Sequence, residues 1–582
     1  MMLIYSTALF FLFLGVIVQG QVDFAEDNVE PAFAEVETID PVVSTSLKYD
    51  TATCREKSLA KSTWPSDHGD SSRAKYTIGA GLPKGDLNPD DLKIIEQNGL
   101  LGPQWLYTYG DNNEYVFAMG GTILSTYVAK MDSKTLEIVQ KVMLKPAMYI
   151  GGLLMHANGH VYGVQGNTLT VFWNGDLTNS TVLDIPTKLN GNAVQTNGMV
   201  VSSDGYLVIK QWPFILEDVA LYLYVLPEFG VGAAIFTLLC GLIFVYFIPR
   251  KSKNVFSITA ALMFGGVVGV ALAVGAFILL QWKLFGTYDP VTFVGSNLFF
   301  PNAGGGGELK LIDPITLEVV ADLTLVERCS FARMALTGEV NEQKEDAIVL
   351  VGDEFIRQYR WNPVEKRLYE VEGWAERYRS RNTGTFPGTG PAIHNGVSYF
   401  TDNTYPVLLF NHSYNLFSKP VGTYSNEVVP AMKHVPINKP GMAGFMFWSV
   451  VVSPVEGDVV VWDSAGQSVQ ARRADTLELH WNLSLRQSDC ITMAADKGHV
   501  YMTHYSGGPQ DYLGFMSAIG PNGKKLYPGI EKYFVAVDAA TGKTLLNVTI
   551  MSDEGMRPAL IVPGANNDVL VAKPNGLNRM YF

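Results

Sequence analysis

The chain has 582 residues, with 43 Lys and Arg against 56 Asp and Glu, for a formal net charge of -13. Charged residues are only 17% and hydrophobic residues 47%, which excludes a disordered protein; the acidic balance excludes a general nucleic-acid binder, which needs a basic face to neutralise phosphates. Four cysteines exclude a scaffold built on disulfides.

Residues 2–18 form an apolar run close to the start, followed by Val18, Gln19 and Gly20, and predict a signal peptide over residues 1–20. Residues 21–47 hold seven acidic residues and no Lys or Arg, with Pro31 and Pro41 among them, so residues 21–73 are expected to be an acidic, disordered tail or linker. A first repetitive, β-rich part is expected over 74–215 and a second over 289–582.

Between them, residues 216–288 predict a two-helix transmembrane hairpin. Its spans, 229–249 and 255–281, are each long enough to cross the hydrocarbon core, and neither carries a charge. The loop 250–254 holds Arg250, Lys251 and Lys253, which places it on the cytoplasmic side. An even number of spans then puts both flanking parts on the lumenal or extracellular side of a secretory-pathway or plasma membrane. The N-glycosylation acceptors Asn179, Asn411, Asn482 and Asn547 all fall on that side. Small residues recur at Ala261, Gly265, Gly269 and Ala273, a stripe suited to close helix packing, either within the hairpin or against a protein partner. With no ionisable residue in either span, the hairpin reads as an anchor in the lipid bilayer rather than an ion path.

The rest of the chain repeats. A tight-turn signal precedes a β run at Asn112-Asn113, Asn158-Gly159, Asp204-Gly205, Asn395-Gly396, Glu456-Gly457, Lys497-Gly498 and Asn566-Asn567. A second motif begins at Asp132, Asp313 and Asp538, with Thr135, Thr316 and Thr541 three residues on and a degenerate copy at Asn362; an Asp there can hold a turn through its own backbone. Ala536, Asp538, Thr541 and Gly542 resemble the A-x-D-x-x-T-G-x-x-x-W repeat of quinoprotein-type (PQQ-repeat) β-propellers. Ala471 to Trp481 has the same spacing, with Arg473 and Leu477 in place of the Asp and Gly, while Leu546, Gln140 and Ala321 stand where the Trp would be. The resemblance covers roughly residues 100–582 outside the hairpin. It implies an all-β fold, a β-propeller; the roughly 400 residues outside the signal, tail and hairpin suit eight blades, with seven as the rival count, and one blade is expected to be built from both chain ends or split by the insertion. Lys75–Gly79 is the expected closing segment.

The chemistry is sparser. The resemblance implies PQQ or calcium only by analogy of fold; the vicinal Cys pair that such enzymes often carry is absent, and no cofactor is predicted. Cys329 and Cys490 could pair as a disulfide. His156 with His160, and His499 with His504, lack the spacing of a metal site, and the chain has neither a GxSxG elbow nor a P-loop. Residues 376–404 gather Arg379, Arg381, Asn382, His394, Asp402 and Asn403, the candidate ligand-binding set, in which the two arginines suit an anion. The loop 505–532 is long enough to be a lid or a partner-binding loop. The reading that results is a membrane-anchored, glycosylated propeller acting as a binding or assembly module. Its alternative is a channel enzyme, either a quinoprotein-like oxidoreductase or a calcium-dependent hydrolase or lactonase.

Overall fold

A computed structural model describes residues 58–582, except Asp67, residues 101–102, 111–112, 123–124, 146–149, 189–193, 214–226, 248–254, 286–305, 328, 330–332, 339, 353, 380–384, 388–389, 402–403, 407–414, 423–430, 437–450, 454–458, 464–467, 486–490, 507–530, 552–559 and 574–575. The predicted signal peptide, most of the predicted tail, Cys54 and Asn411 lie outside the described residues.

Among the described residues, eight sheets of four antiparallel blade strands, two of them extended by a short fifth strand, follow one another along the chain. Blade one contains Pro103–Tyr109, Tyr115–Thr122, Ser125–Asp132 and Ile138–Leu144; blade two contains Ile150–Met155, Val161–Gln165, Thr168–Phe172 and Ser180–Asp184. Blade three contains Val194–Val201, Leu207–Pro213, Glu308–Ile312 and Val319–Thr324, and blade four Ala335–Thr337, Asp346–Val351, Phe355–Asn362 and Arg367–Glu370. Blade five is built on Ala392–His394, Val397–Thr401, Asn415–Pro420 and Lys433–Pro436, and blade six on Val451–Ser453, Val459–Asp463, Val469–Arg473 and Leu479–Leu483. Blade seven holds Ile491–Ala494, His499–Ser506, Glu531–Asp538 and Thr544–Met551. Blade eight takes Ile561–Gly564, Asp568–Lys573 and Gly576–Tyr581 from the C-terminus and Lys93–Asn98 from the N-terminal side, the latter antiparallel to Gly576–Tyr581. The first strands of successive blades touch one another, and blade eight meets blade one, so the ring closes around a central channel.

The closing strand is thus Lys93–Asn98, not Lys75–Gly79. Tyr76–Thr77 instead pairs in parallel with Met493–Ala494 on the inner edge of blade seven.

The two sequence motifs occupy distinct turns. The Asn-Gly type signals lie between strands one and two, where Asn113, Gly159, Gly205, Gly396, Gly498 and Asn567 all have positive φ. The Asp-x-x-Thr motif is the turn between strands three and four. The Asp132 carboxylate accepts from the amides of Lys134 and Thr135, while Leu136 N–H donates to Asp132 C=O. Asp313 and Asp538 build the same turn. Trp481 of blade six docks on the corresponding turn of blade seven: its Nε1 donates to Ala539 C=O at 2.8 Å, and its ring covers Gly542.

Residues 214–307 leave blade three between its second and third strands. They contain helix α1 (Pro227–Phe247) and helix α2 (Val255–Phe285), which pack on each other. The small-residue stripe is used within this pair: a Cβ at Gly265 would lie 2.6 Å from Gly241 Cα, and one at Gly269 would lie 2.8 Å from Thr237 Cα. Gly265 and Gly269 therefore serve the hairpin itself rather than a partner's helix. Leu239, Leu242, Ile243, Tyr246, Phe247, Phe264 and Leu272 are exposed on the pair. Among the described residues no helix is long and apolar enough to cross a membrane.

The docking tryptophan gives a stability test. Trp481→Ala removes the bond to Ala539 and opens a cavity between blades six and seven, and is expected to cost about 3–5 kcal/mol in denaturant unfolding. A loss below ~1 kcal/mol would show that the dock is not part of the packed core.

Candidate functional site

In a propeller, the first strand of every blade turns one backbone edge toward the channel, and those amides and carbonyls need partners. Here a single non-repetitive segment, residues 58–82, supplies them. Trp64 C=O accepts from Thr108 N–H of blade one at 3.0 Å, and Pro65 C=O from Met155 N–H of blade two at 2.7 Å. Ser71 Oγ donates to Val201 C=O of blade three and accepts from Val201 N–H, both at 3.0 Å. Ser71 C=O and Ser72 C=O accept from Leu336 of blade four and Ile393 of blade five, each at 2.8 Å. Lys75 C=O accepts from Met493 of blade seven, and Gly81 N–H donates to Gly564 of blade eight. Tyr76–Thr77 lies beside the first strand of blade six. The segment is a plug that touches every blade.

The plug lies at the C-terminal ends of the first strands, the face of the one–two turns. Thr63 bonds Asn113 and Gly79 bonds Asp496, both in those turns. The α1–α2 excursion leaves from a two–three connection, on the opposite face. The loop 505–532 is also a two–three connection, so its ends lie on the hairpin face; its interior is outside the described residues.

The centre of the plug is chemically dense. His68, Arg73 and Lys75 are buried and hold positive φ, conformations forced by the tight path around the ring. Asp70 Oδ1 accepts from Ser72 N–H at 2.9 Å, Ser72 Oγ–H at 2.6 Å and Arg73 N–H at 3.0 Å, which fixes the bend. Asp70 keeps part of its surface open to solvent, yet the protein around it raises its pKa against those hydrogen bonds. Arg333, just ahead of the first strand of blade four, extends over blades two and three. Its stem covers Gly198, and its guanidinium lies 3.4 Å from where a Gly152 Cβ would be, with Tyr107 Oη on the same spot at 2.9 Å. Irregularities in the first strands of blades two and three, between Ile150 and Gly152 and between Thr196 and Met199, make this room. Burial, and then the charges of Arg73, Lys75 and Arg333, hold the His68 pKa well below its ordinary value, so the imidazole is neutral at pH 7.

The candidate set from the sequence is not brought together. Arg379 is half-buried on the hairpin face, its guanidinium 5.5 Å from the Tyr378 ring centre. His394 is buried at the other face, edge-on to Tyr76 of the plug at 5.9 Å. Arg381, Asn382, Asp402 and Asn403 lie outside the described residues, as does Cys490, the expected partner of the buried Cys329. Gly306 and Gly307 do not form an anion cradle; they exchange backbone bonds with Leu325 and extend the third strand of blade three. His156 is structural, its Nε2 bonded to Gly205 C=O at 3.0 Å and its Nδ1 accepting from Asn158 N–H at 3.1 Å. Asn179, Asn482 and Asn547 are exposed. Among the described residues no three His, Cys, Asp or Glu converge to hold a metal.

No family model matches the chain, and no curated protein matches its sequence. Among solved structures, it is similar to BamB from Moraxella catarrhalis, at 8% identity and a TM-score of 0.43, covering 84% of this chain and 100% of that one. It is also similar to the quinohemoprotein alcohol dehydrogenase ADHIIG from Pseudomonas putida HK5 (8% identity, TM-score 0.39, 90% and 80% covered) and to a europium-containing methanol dehydrogenase (11%, 0.38, 90% and 91%). The likeness is one of fold; the eight-bladed count rests on the sheets themselves.

The buried histidines set a pH dependence. Burial pushes His156 from 6.5 down to about 4, and it lowers His160 and His499 as well. A histidine neutral in the fold and protonated in the unfolded chain stabilises fully above the unfolded value, and that contribution is lost as pH falls through the window down to about 4. For His156 the loss approaches ~3 kcal/mol. The urea midpoint should fall over this window, and His156→Gln should flatten the fall; an equal slope in the variant would refute the assignment.

Proposed function

We propose that this protein is a membrane-anchored β-propeller that acts as a binding or assembly module, with the α1–α2 hairpin as its anchor. The observation that carries the reading is the point of insertion. The hairpin leaves a complete ring through one two–three connection, opposite the plugged face, so a helical pair could enter a bilayer without disturbing a blade. The exposed leucines, phenylalanines and isoleucines of α1 and α2 would otherwise meet water. The basic loop 250–254 supports a cytoplasmic hairpin tip, with the propeller on the lumenal or extracellular side. The exposed Asn179, Asn482 and Asn547 are consistent with glycosylation there. Sqt1 from Saccharomyces cerevisiae and BamB, both similar in fold, suggest no more than the propeller architecture itself.

The test replaces residues 214–306 with a short Gly-containing turn that rejoins Pro213 to Gly307. The expected product is a folded propeller with an unchanged β-sheet circular dichroism spectrum, which no longer floats with membranes while the full chain does and resists carbonate extraction. Release of the full chain by carbonate, or persistent membrane association of the shortened one, would overturn the anchor. Peptide:N-glycosidase treatment of the full chain should shift its mobility; no shift, with cytoplasmic accessibility of the propeller to protease, would reverse the orientation.

A further inference from the structure

We propose that Asn395 is a site of self-modification: its carboxamide closes on the Gly396 nitrogen to a succinimide with the help of His394, and water opens the ring to an aspartyl or isoaspartyl residue. This goes beyond the binding module of the previous section and does not depend on it. Among the described residues, Asn-Gly pairs begin at Asn98, Asn158, Asn174, Asn197 and Asn395, and their surroundings separate them. Asn197 is fully buried, away from the water the reaction needs. Asn174 is exposed, but Gly175 is buried: Tyr109 ring carbons lie 3.1 Å from where its Cβ would be, and Lys130 Nζ donates to its C=O at 3.0 Å. The Asn158 carboxamide is held at both ends, its Oδ1 accepting from His160 N–H at 3.0 Å and its Nδ2 donating to Tyr162 Oη at 2.8 Å. Asn98 is exposed, but its side chain bonds Glu96, whose negative charge opposes the oxyanion that attack on the amide creates. Asn395 differs on each count. It forms with Gly396 the exposed two-residue turn between Ala392–His394 and Val397–Thr401, at φ of +47° and +70°. Gly396 has no Cβ to keep its nitrogen from the Asn395 Cγ. His394 Nε2 lies 3.0 Å from Asn395 Nδ2, the atom that must leave, and the imidazole is itself fixed, 8% exposed and edge-on to Tyr76.

The Gly396 nitrogen loses its proton to solvent and bonds to Asn395 Cγ. The Cγ–Nδ2 bond then breaks, and Nδ2 leaves as ammonia. Neutral, the His394 Nε2 accepts from Nδ2 and orients the carboxamide; protonated, it delivers the proton the leaving nitrogen needs and regains one from solvent. Water adds to the ring at either carbonyl. Opening at Cγ gives Asp on an ordinary backbone, and opening at the main-chain carbonyl gives an isoaspartyl link through Cγ. Water is consumed and ammonia released, with nothing oxidised or reduced. The link adds a methylene and a carboxylate to a turn where Gly396 C=O accepts from Val421 N–H at 2.7 Å, three residues from the Ile393 bond to Ser72 C=O. The modification therefore falls where the plug meets blade five.

The experiment incubates detergent-solubilised full-length protein at neutral pH and body temperature over several weeks, with peptide mass spectrometry across each Asn-Gly pair. The Asn395 peptide should exchange amide for acid at least ~tenfold faster than the Asn98 and Asn158 peptides, the low end of what a positioned acid–base group supplies. It should also become the main acceptor of radiolabelled methyl groups from an isoaspartyl methyltransferase. His394→Gln, which keeps a hydrogen-bonding side chain but carries no titrating proton, should remove most of that lead while Asn98 and Asn158 keep their rates. A second comparison needs no variant: in urea the wild-type pairs should convert alike, because the lead belongs to the folded turn. Conversion of Asn395 no faster than Asn98 in the folded protein would overturn the proposal. So would a lead that persists in urea, or one left intact by His394→Gln in a chain whose Asn158 stays protected, the sign that it is folded.

Discussion

The hydrogen bonds between residues 58–82 and the inner edges of the blades are the constraint on which the remaining structure depends. Eight first strands meet around the channel without pairing with each other as a continuous sheet, and their inward edges would otherwise leave buried amides without partners. Each such loss costs about 1–3 kcal/mol, whereas each bond made contributes about 1 kcal/mol net. The plug answers this with an irregular path, because the edges it must reach are arranged around a ring and not along a line. That geometry explains why His68, Arg73 and Lys75 take left-handed conformations and why Asp70 must hold the bend between them. It also ties the two ends of the fold: the plug bonds blades seven and eight near the C-terminus before the chain runs on into Lys93–Asn98 and closes blade eight.

The two faces of the ring consequently differ. One carries the short one–two and three–four turns, fixed by Asn, Gly and Asp residues and sealed by the plug. The other carries every two–three and four–one connection, including the helical excursion. Short turns with positive φ leave little room for variation, while long connections can grow outward without altering strand register.

How much of this was legible in the sequence varies with the physics of each part. Turns are local: Asn-Gly and Asp-x-x-Thr signals need only neighbouring residues, and they located most strands and the blade count. The hairpin's helices, too, follow from composition alone. The plug has no such signature. Its hydrogen bonds go to other segments, so it needs no period, and a stretch rich in Ser, Asp, Arg and Lys resembles a solvated linker; the tail predicted over 21–73 ran into it. The one available signal was Trp64 and Gly69 amid those polar residues, since a tail has little use for a tryptophan, and Trp64 is 4% exposed. The closing strand was misplaced for a related reason: Tyr76–Thr77 and Lys93–Asn98 are both short and β-like, and only the ring decides which one meets Gly576–Tyr581. Arg379 and His394 are close in sequence, yet a four–one connection followed by a first strand carries the chain from one face to the other and separates them.

The insertion in blade three shows how the ring tolerates so large an interruption. Leu207–Gln211 pairs in register with Glu308–Ile312, so the chain that departs after Pro213 returns to the same ladder without a slip. Proline has no amide to donate, which makes Pro213 a natural end to the pairing. At the point of return, Glu308 is buried and fully engaged: Lys310 lies 2.9 Å from its carboxylate, which also accepts from Thr187 Oγ and Lys188 N–H, both at 2.9 Å. Losing a partner from such a buried group would cost several kcal/mol, whereas doubling the length of the excursion adds only about 0.6 kcal/mol of closure entropy. The root of the insertion is thus held far more tightly than its length can loosen it, and blade three behaves as a continuous sheet although nearly a hundred residues separate its halves.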